Sequence, residues 1–292
     1  MIINKKHSLL YLIIFALLFS FECKNNTQGK SNNDIKSGGD PKKTTYIDYS
    51  KDLSGKSNSD NPNIPDGLKK LKKAYPDFID SVDNNNLYFK DGTKMIYDDG
   101  RKKSFEEMLD DPDLEDMMSQ EYPMGKEYKI PEVNFDPGRI RYEPFFKKIY
   151  GSSASEVKKY LVTIKWMPKS TNATVTITSI NGVDNQLKAV SDELDNIPQN
   201  QKKYVTKTAG TFYWRNIAGT NRLSAHSFGI AIDINTEYAD YWLWDKNLTY
   251  KNRIPLEIVE IFERFGFIWG GKWYHYDTMH FEYRPELLVS PD

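Results

Sequence analysis

Residues 230–234 read Ile-Ala-Ile-Asp-Ile, an alternation with the two-residue period of a strand that sets Asp233 within apolar surface. The isoleucines would face one side and Asp233 the other. A carboxylate so placed costs free energy unless it is paired or coordinated. Gly229, just upstream, lets the chain bend between loop and strand and brings His226 back toward Asp233. A second run of the same character is Trp273-Tyr274-His275-Tyr276-Asp277-Thr278-Met279-His280-Phe281-Glu282-Tyr283, where imidazoles and acids sit among aromatics. Of the four histidines, His7 lies in the N-terminal segment ahead of an apolar run; the others are His226, His275 and His280. A fold that buries both runs together gathers its imidazoles and several acids in one place.

Ordinary signals surround these runs. Leu87-Tyr88-Phe89 and Met95-Ile96-Tyr97 flank Asp91-Gly92, which predicts a hairpin. Asp110 to Met118 reads as a short acidic helix or loop. Ser153 and Glu156 have capping-box spacing ahead of Val157. Leu161 to Trp166 and Thr174 to Ile180 are rich in β-branched residues and read as strands. Val183, Leu187, Val190 and Leu194 recur at helical spacing, with Pro198 beyond them. Pro255 opens another helix, whose stripe is Leu256, Val259, Phe262 and Phe265 and whose stop is Gly266. There is no internal repeat and no strict βαβ alternation. The expected fold class is α+β, a mainly antiparallel sheet with flanking helices.

The N-terminal region stands apart. Lys5 and Lys6 precede an apolar run from Leu9 to Phe21, short for a membrane span and matched to the apolar part of an export signal. Cys23, the sole cysteine, follows at once and resembles the lipidation site of a bacterial lipoprotein. Ser20-Phe21-Glu22 lacks the small residue usual at that place; an ordinary cleaved signal or an uncleaved anchor is the alternative. Residues 24–63 are rich in Asn, Ser, Lys, Gly and Asp and bury too little surface to offset their chain entropy. The expected organisation is therefore an export segment over 1–23, a tether over 24–63 and a folded domain over 64–292. Forty basic and 41 acidic residues leave a net charge of -1, without the basic face that nucleic-acid binding needs. Export places the domain in the bacterial cell envelope, on the periplasmic side, with a membrane contact through the N-terminal lipid.

Two imidazoles and one carboxylate leave the fourth position of a tetrahedral zinc open, as in catalytic sites. Both runs also resemble the bacterial D-Ala-D-Ala metallopeptidases, the VanX and VanY-like group that shares a zinc site with hedgehog domains and some phage endolysins. That family carries Ser-x-His-x-x-Gly-x-Ala-x-Asp, then an acid three residues before a last histidine. Here the first motif is complete from Ser224 to Asp233, and the second is Asp277-Thr278-Met279-His280. The similar region runs from about Asp136-Pro137-Gly138-Arg139 to Glu286 and is dense over residues 209–220.

The resemblance implies a hedgehog-type zinc fold with Zn2+ held by His226, Asp233 and His280. It implies Asp277 as general base and Arg215 beside the developing oxyanion. Glu282 is a second candidate for the base. Ser224 either binds substrate or shapes its loop, and His275 either orients a ligand or contacts substrate. Tyr238, Tyr241, Trp242 and Trp244 line the cleft or fill the core.

The implied substrates are peptidoglycan stem peptides, cleaved first as a D-Ala-D-Ala carboxypeptidase. An L-Ala-D-Glu or other stem-peptide endopeptidase is the alternative, as is a zinc-containing lipoprotein that only binds. A serine peptidase of the same specificity is excluded. Ser155-Glu156-Val157-Lys158 and Ser59-Asp60-Asn61 stand in reversed order, and Lys-Thr-Gly is absent. His-Glu-x-x-His is absent too.

Overall fold

The computed structural model describes residues 46–54 and 63–291. Helix α1 (Asp66–Ala74) buries Leu68, Leu71 and Ala74 on one face. Strands β1 (Ile79–Val82), β2 (Asn86–Phe89) and β3 (Lys94–Ile96) form an antiparallel meander, with the expected hairpin turn at Asp91-Gly92. The acidic stretch over 110–118 follows one short helix, α2 (Phe105–Asp110), and forms a second, α3 (Leu114–Met118). Each starts on a reciprocal capping box, Ser104 with Glu107 and Asp113 with Asp116. Helix α4 (Glu143–Tyr150) follows, then α5 (Ala154–Lys158). Ser153 caps α5 as expected, but the Glu156 side chain returns to the Ser152 N–H rather than to Ser153.

Strands β4 (Leu161–Lys165) and β5 (Thr174–Thr178) pair antiparallel as a separate ribbon. Helix α6 (Val183–Leu194) buries Leu187, Val190 and Leu194, the stripe read from spacing. The sheet that carries the two polar-in-apolar runs has four strands in the order β6 (Thr208–Gly210), β7 (Ala231–Ile234), β9 (His280–Tyr283) and β8 (Phe267–Trp269), all antiparallel. Helix α7 (Leu256–Arg264) covers one face of it, and Phe262 stacks on Phe281 at 3.8 Å between centroids.

The class is thus α+β with antiparallel pairing throughout. The expectation of one main sheet is corrected to three small ones. The ribbon β4–β5 reaches the segment that leads into β7 where the Thr178 N–H donates to Gly229 O at 2.9 Å. Gly229 is needed at that point: φ is +66°, and an added Cβ would lie 2.9 Å from Leu161 Cδ2.

Upstream of Ile64, residues 46–54 pack on the same unit. Tyr49 is buried with its hydroxyl 2.9 Å from that of Tyr283, and Gln186 bonds both backbone groups of Ile47. Among the described residues no helix is long and apolar enough to cross a membrane.

Candidate metal centre

Register places the first two site residues. Asp233 on β7 lies directly opposite His280 on β9, so both project from one face, while Ile232 and Phe281 turn to the other. Ser224 starts a 3-10 turn, Ala225–Phe228, by accepting the His226 N–H, and Gly229 ends it. The turn swings His226 over the end of β7, as the bend at Gly229 predicts. His226 Nε2 lies 3.2 Å and His280 Nδ1 3.0 Å from the same atom, Asp233 Oδ1. One ligand atom from each residue falls within 4.8 Å of the other two.

The far nitrogen of each ring is fixed. His226 Nδ1 donates to Thr211 O at 2.5 Å, and His280 Nε2 donates to Glu282 Oε2 at 3.0 Å. Each bond holds its ring so that the other nitrogen faces Asp233, where it ligates a metal once its proton has gone. The local field also favours a cation. Burial opposes charge on His280, yet hydrogen bonds to Asp233 and Glu282 carry it up to about 10. Burial likewise raises Asp233, but His226 and His280 hold it well below the usual carboxylate range. Donor set and electrostatics both fit a divalent cation.

Asp277 ends the turn before β9, where its carbonyl accepts the His280 N–H. Its Oδ1 is buried and has no hydrogen-bond partner among the described residues. Burial, then repulsion from Asp233, pushes the carboxyl up to about 6. A carboxylate so poised is basic enough to take a proton, and its free oxygen is available to a reactant.

Glu282 is fully buried on the opposite side of the His280 ring and bound to Arg141 Nη2 at 2.5 Å and Arg284 Nη1 at 3.0 Å. These partners leave it orienting His280, so the second reading of Glu282 as a base finds no geometry. Arg215 is tied by its backbone to Ser224 and Ser227, and its charge reaches the Tyr241 phenol.

His275 turns away from the cluster. Its Nδ1–H donates to Asp136 Oδ2 at 2.6 Å, its N–H donates to Oδ1 at 2.8 Å, and its ring packs on Trp242. Tyr241 bridges to Asp277, Trp244 packs on Tyr241 and is half exposed, and Tyr238 packs on Tyr204. Cys23 lies outside the described residues, as does Ser59-Asp60-Asn61. Two other acidic groups, Asp98–Asp99–Asp113 and Asp113–Glu115–Asp116, are close enough to hold a cation. Lys103 Nζ already fills that place, 3.0 Å from Asp99, 3.2 Å from Asp113 and 2.5 Å from Asp116.

Residues 218–283 match the family model described as D-alanyl-D-alanine carboxypeptidase. This segment is similar to that peptidase family. It holds His226, Asp233, Asp277 and His280, whereas Arg215 and Asp136–Arg139 lie outside it. No curated protein and no solved structure matches the chain.

The motifs alone did not reveal three contributors: Thr211, which acts through a carbonyl; Arg141, which backs Glu282; and Arg139. The signal for the last was present in Asp136-Pro137-Gly138-Arg139, a Pro-Gly turn between a buried acid and a base.

Proposed function

We propose that the protein is a zinc-dependent peptidase of the bacterial cell envelope that hydrolyses peptidoglycan stem peptides, first of all as a D-Ala-D-Ala carboxypeptidase. The observation that carries the reading is the convergence of His226 Nε2, Asp233 Oδ1 and His280 Nδ1 beside the unpartnered Oδ1 of Asp277. The family match over the same residues supports it, and the reading includes the hedgehog-type zinc fold. When bound, zinc supplies Lewis acidity that makes water more acidic and polarises the scissile carbonyl.

The chain's own residues supply the rest. Asp277 takes the proton of the attacking water and passes it to the leaving amine. Arg215 offsets charge on the carbonyl oxygen as it develops. Thr211 and Glu282 keep the two imidazoles in the ligating tautomer. A protein that merely bound wall peptides would have no use for an unpartnered carboxylate at this position.

Purified protein incubated with stem pentapeptide should release D-alanine, lose that activity in excess chelator and recover it with zinc, while penicillin has no direct effect. Mass analysis of muropeptide digests locates the scissile bond. Release of L-alanine from D-glutamate would move the activity to the endopeptidase reading, and full activity in chelator would end the zinc reading.

Cys23 lipidation accounts for the apolar run ahead of it and the polar tract behind it, and would hold the domain at a membrane on a tether. The wild-type chain should then partition into detergent and Cys23→Ala into the aqueous phase or remain unprocessed. Aqueous recovery of the wild type would refute the anchor.

A further inference from the structure

We infer that Arg139 is the receptor for a substrate carboxylate adjacent to the scissile bond. The inference rests on the peptidase reading and names the substrate group that this part of the cleft recognises.

Arg139 is held with little freedom. The loop before it is pinned at each residue: Asp136 accepts two bonds from His275, Pro137 O accepts Trp273 Nε1–H at 2.7 Å, and Gly138 O accepts Arg284 Nη1–H at 2.7 Å. Gly138 has φ +99°, and an added Cβ would lie 2.3 Å from Ile268 Cδ1, so the turn admits no other residue without displacement. From this turn the guanidinium lies 5.7 Å from the Trp273 ring centroid and 6.0 Å from that of Trp242. Nη1 donates to His275 O at 3.0 Å.

Two neighbouring arginines show what a partnered guanidinium looks like here. Arg141 binds Glu282, and Arg284 binds Glu282 and Glu286. Arg139 forms no ion pair among the described residues, and the acid in its own turn, Asp136, is committed to His275. Burial pulls its pKa below the ordinary value, against the pull of Asp136. A guanidinium offers five N–H donors in a planar fork, and one is used by His275 O. A carboxylate matches that fork with two parallel bonds.

The place is right for such a group. The Trp273 ring neighbours both Arg139 and His280, whose ring centroid is 5.7 Å away. Arg139 also acts electrostatically on Asp277 and is acted on by Tyr241. An anion at Arg139 therefore shares the Trp273 ring with one of the ligating imidazoles.

Stem peptides offer two carboxylates of this kind. One is the C-terminal carboxylate of D-Ala-D-Ala; the other is the free α-carboxylate of γ-linked D-glutamate.

The test measures binding apart from turnover. Calorimetry on zinc-loaded protein compares N-acetyl-D-Ala-D-Ala with its C-terminal amide, and L-Ala-γ-D-Glu-L-Lys with its D-isoglutamine form. An Asp277→Asn background keeps the ligands intact, and steady-state kcat and KM on the otherwise wild-type chain accompany it. One pair should show a 10- to 100-fold preference for the acid, and that pair identifies the carboxylate. Arg139→Gln should bring the ratio near one through KM, with amide binding and zinc content unchanged, and Arg139→Lys should restore part of the preference.

An acid preference that survives in folded, zinc-loaded Arg139→Gln overturns the inference. So does the lack of any preference in both pairs. Should Arg139→Gln not fold, the same comparison is made with Arg139→Lys, whose point charge cannot reproduce the fork; an undiminished ratio there also overturns it. Failure of the peptidase reading shows separately, as an absence of zinc-dependent hydrolysis while the Arg139-dependent acid preference persists.

Discussion

Asp277→Asn is expected to keep its metal and lose about 100- to 10,000-fold of turnover, the range over which a positioned general base contributes. The amide preserves shape and hydrogen-bonding reach but accepts no proton at neutral pH. Its effect on the fold should be small, because the wild-type Oδ1 has no hydrogen-bond partner among the described residues to lose. Asp233→Ala is the contrasting change. It removes the atom on which both ligating imidazoles converge, so zinc and activity should disappear together. Metal content and hydrolysis rate are measured on the same preparations, with circular dichroism as the control for folding. Loss of metal from Asp277→Asn with retention in Asp233→Ala would mean that ligand and base have been exchanged. Near-normal turnover in zinc-loaded Asp277→Asn would hand the proton to another group. Glu282 is a poor heir, with its carboxylate shared among His280, Arg141 and Arg284.

Much of this centre is legible in the sequence because its logic is local or periodic. The alternation over 230–234 fixes which way Asp233 points, and the bend at Gly229 returns His226 toward it. Pairing of Asp233 with His280 requires only that the two runs lie side by side in register. The helices over 183–194 and 256–264 follow from their stripes for the same reason.

The rest depends on contacts between distant segments. Thr211 serves the site through a backbone carbonyl, which any residue would supply, so its identity carries no signal. Glu282 has the same sequence neighbourhood whether it faces the reactant or the rear of His280. Only Arg141 and Arg284, arriving from elsewhere, decide that it is the rear. Arg139 is similar: its lack of an acidic partner among the described residues is a property of the packed structure, invisible in the Asp-Pro-Gly-Arg turn. The split into three sheets is not legible in the sequence because each strand's pattern states that it pairs, not with which neighbour.

Lys272→Met should destabilise the domain by about 3–5 kcal/mol, the scale for removing one partner of a buried ion pair. Lys272 is 0% and Glu263 1% exposed. The ammonium donates to Pro123 O at 2.6 Å and Gly125 O at 2.7 Å and pairs with Glu263, while Glu263 accepts the Tyr122 hydroxyl at 2.6 Å and the Gly125 N–H at 2.8 Å. The pair thus ties α7 and the 122–125 segment to the turn that leads into β9. Burial nonetheless lowers the pKa of Lys272 and raises that of Glu263, in each case against the pull of the partner. Desolvation of two charges this buried offsets much of their attraction, so the pair as a whole is expected to contribute little net stability. Its removal from one side is what costs, because the remaining carboxylate is stranded. Two consequences follow for urea unfolding at constant zinc. The deficit of Lys272→Met should shrink as pH falls, because protonation of Glu263, whose folded pKa is raised, removes the stranded charge. The double variant Lys272→Met/Glu263→Gln should regain most of the loss. A double variant no more stable than Lys272→Met would assign the cost instead to the two backbone carbonyls that the ammonium satisfies.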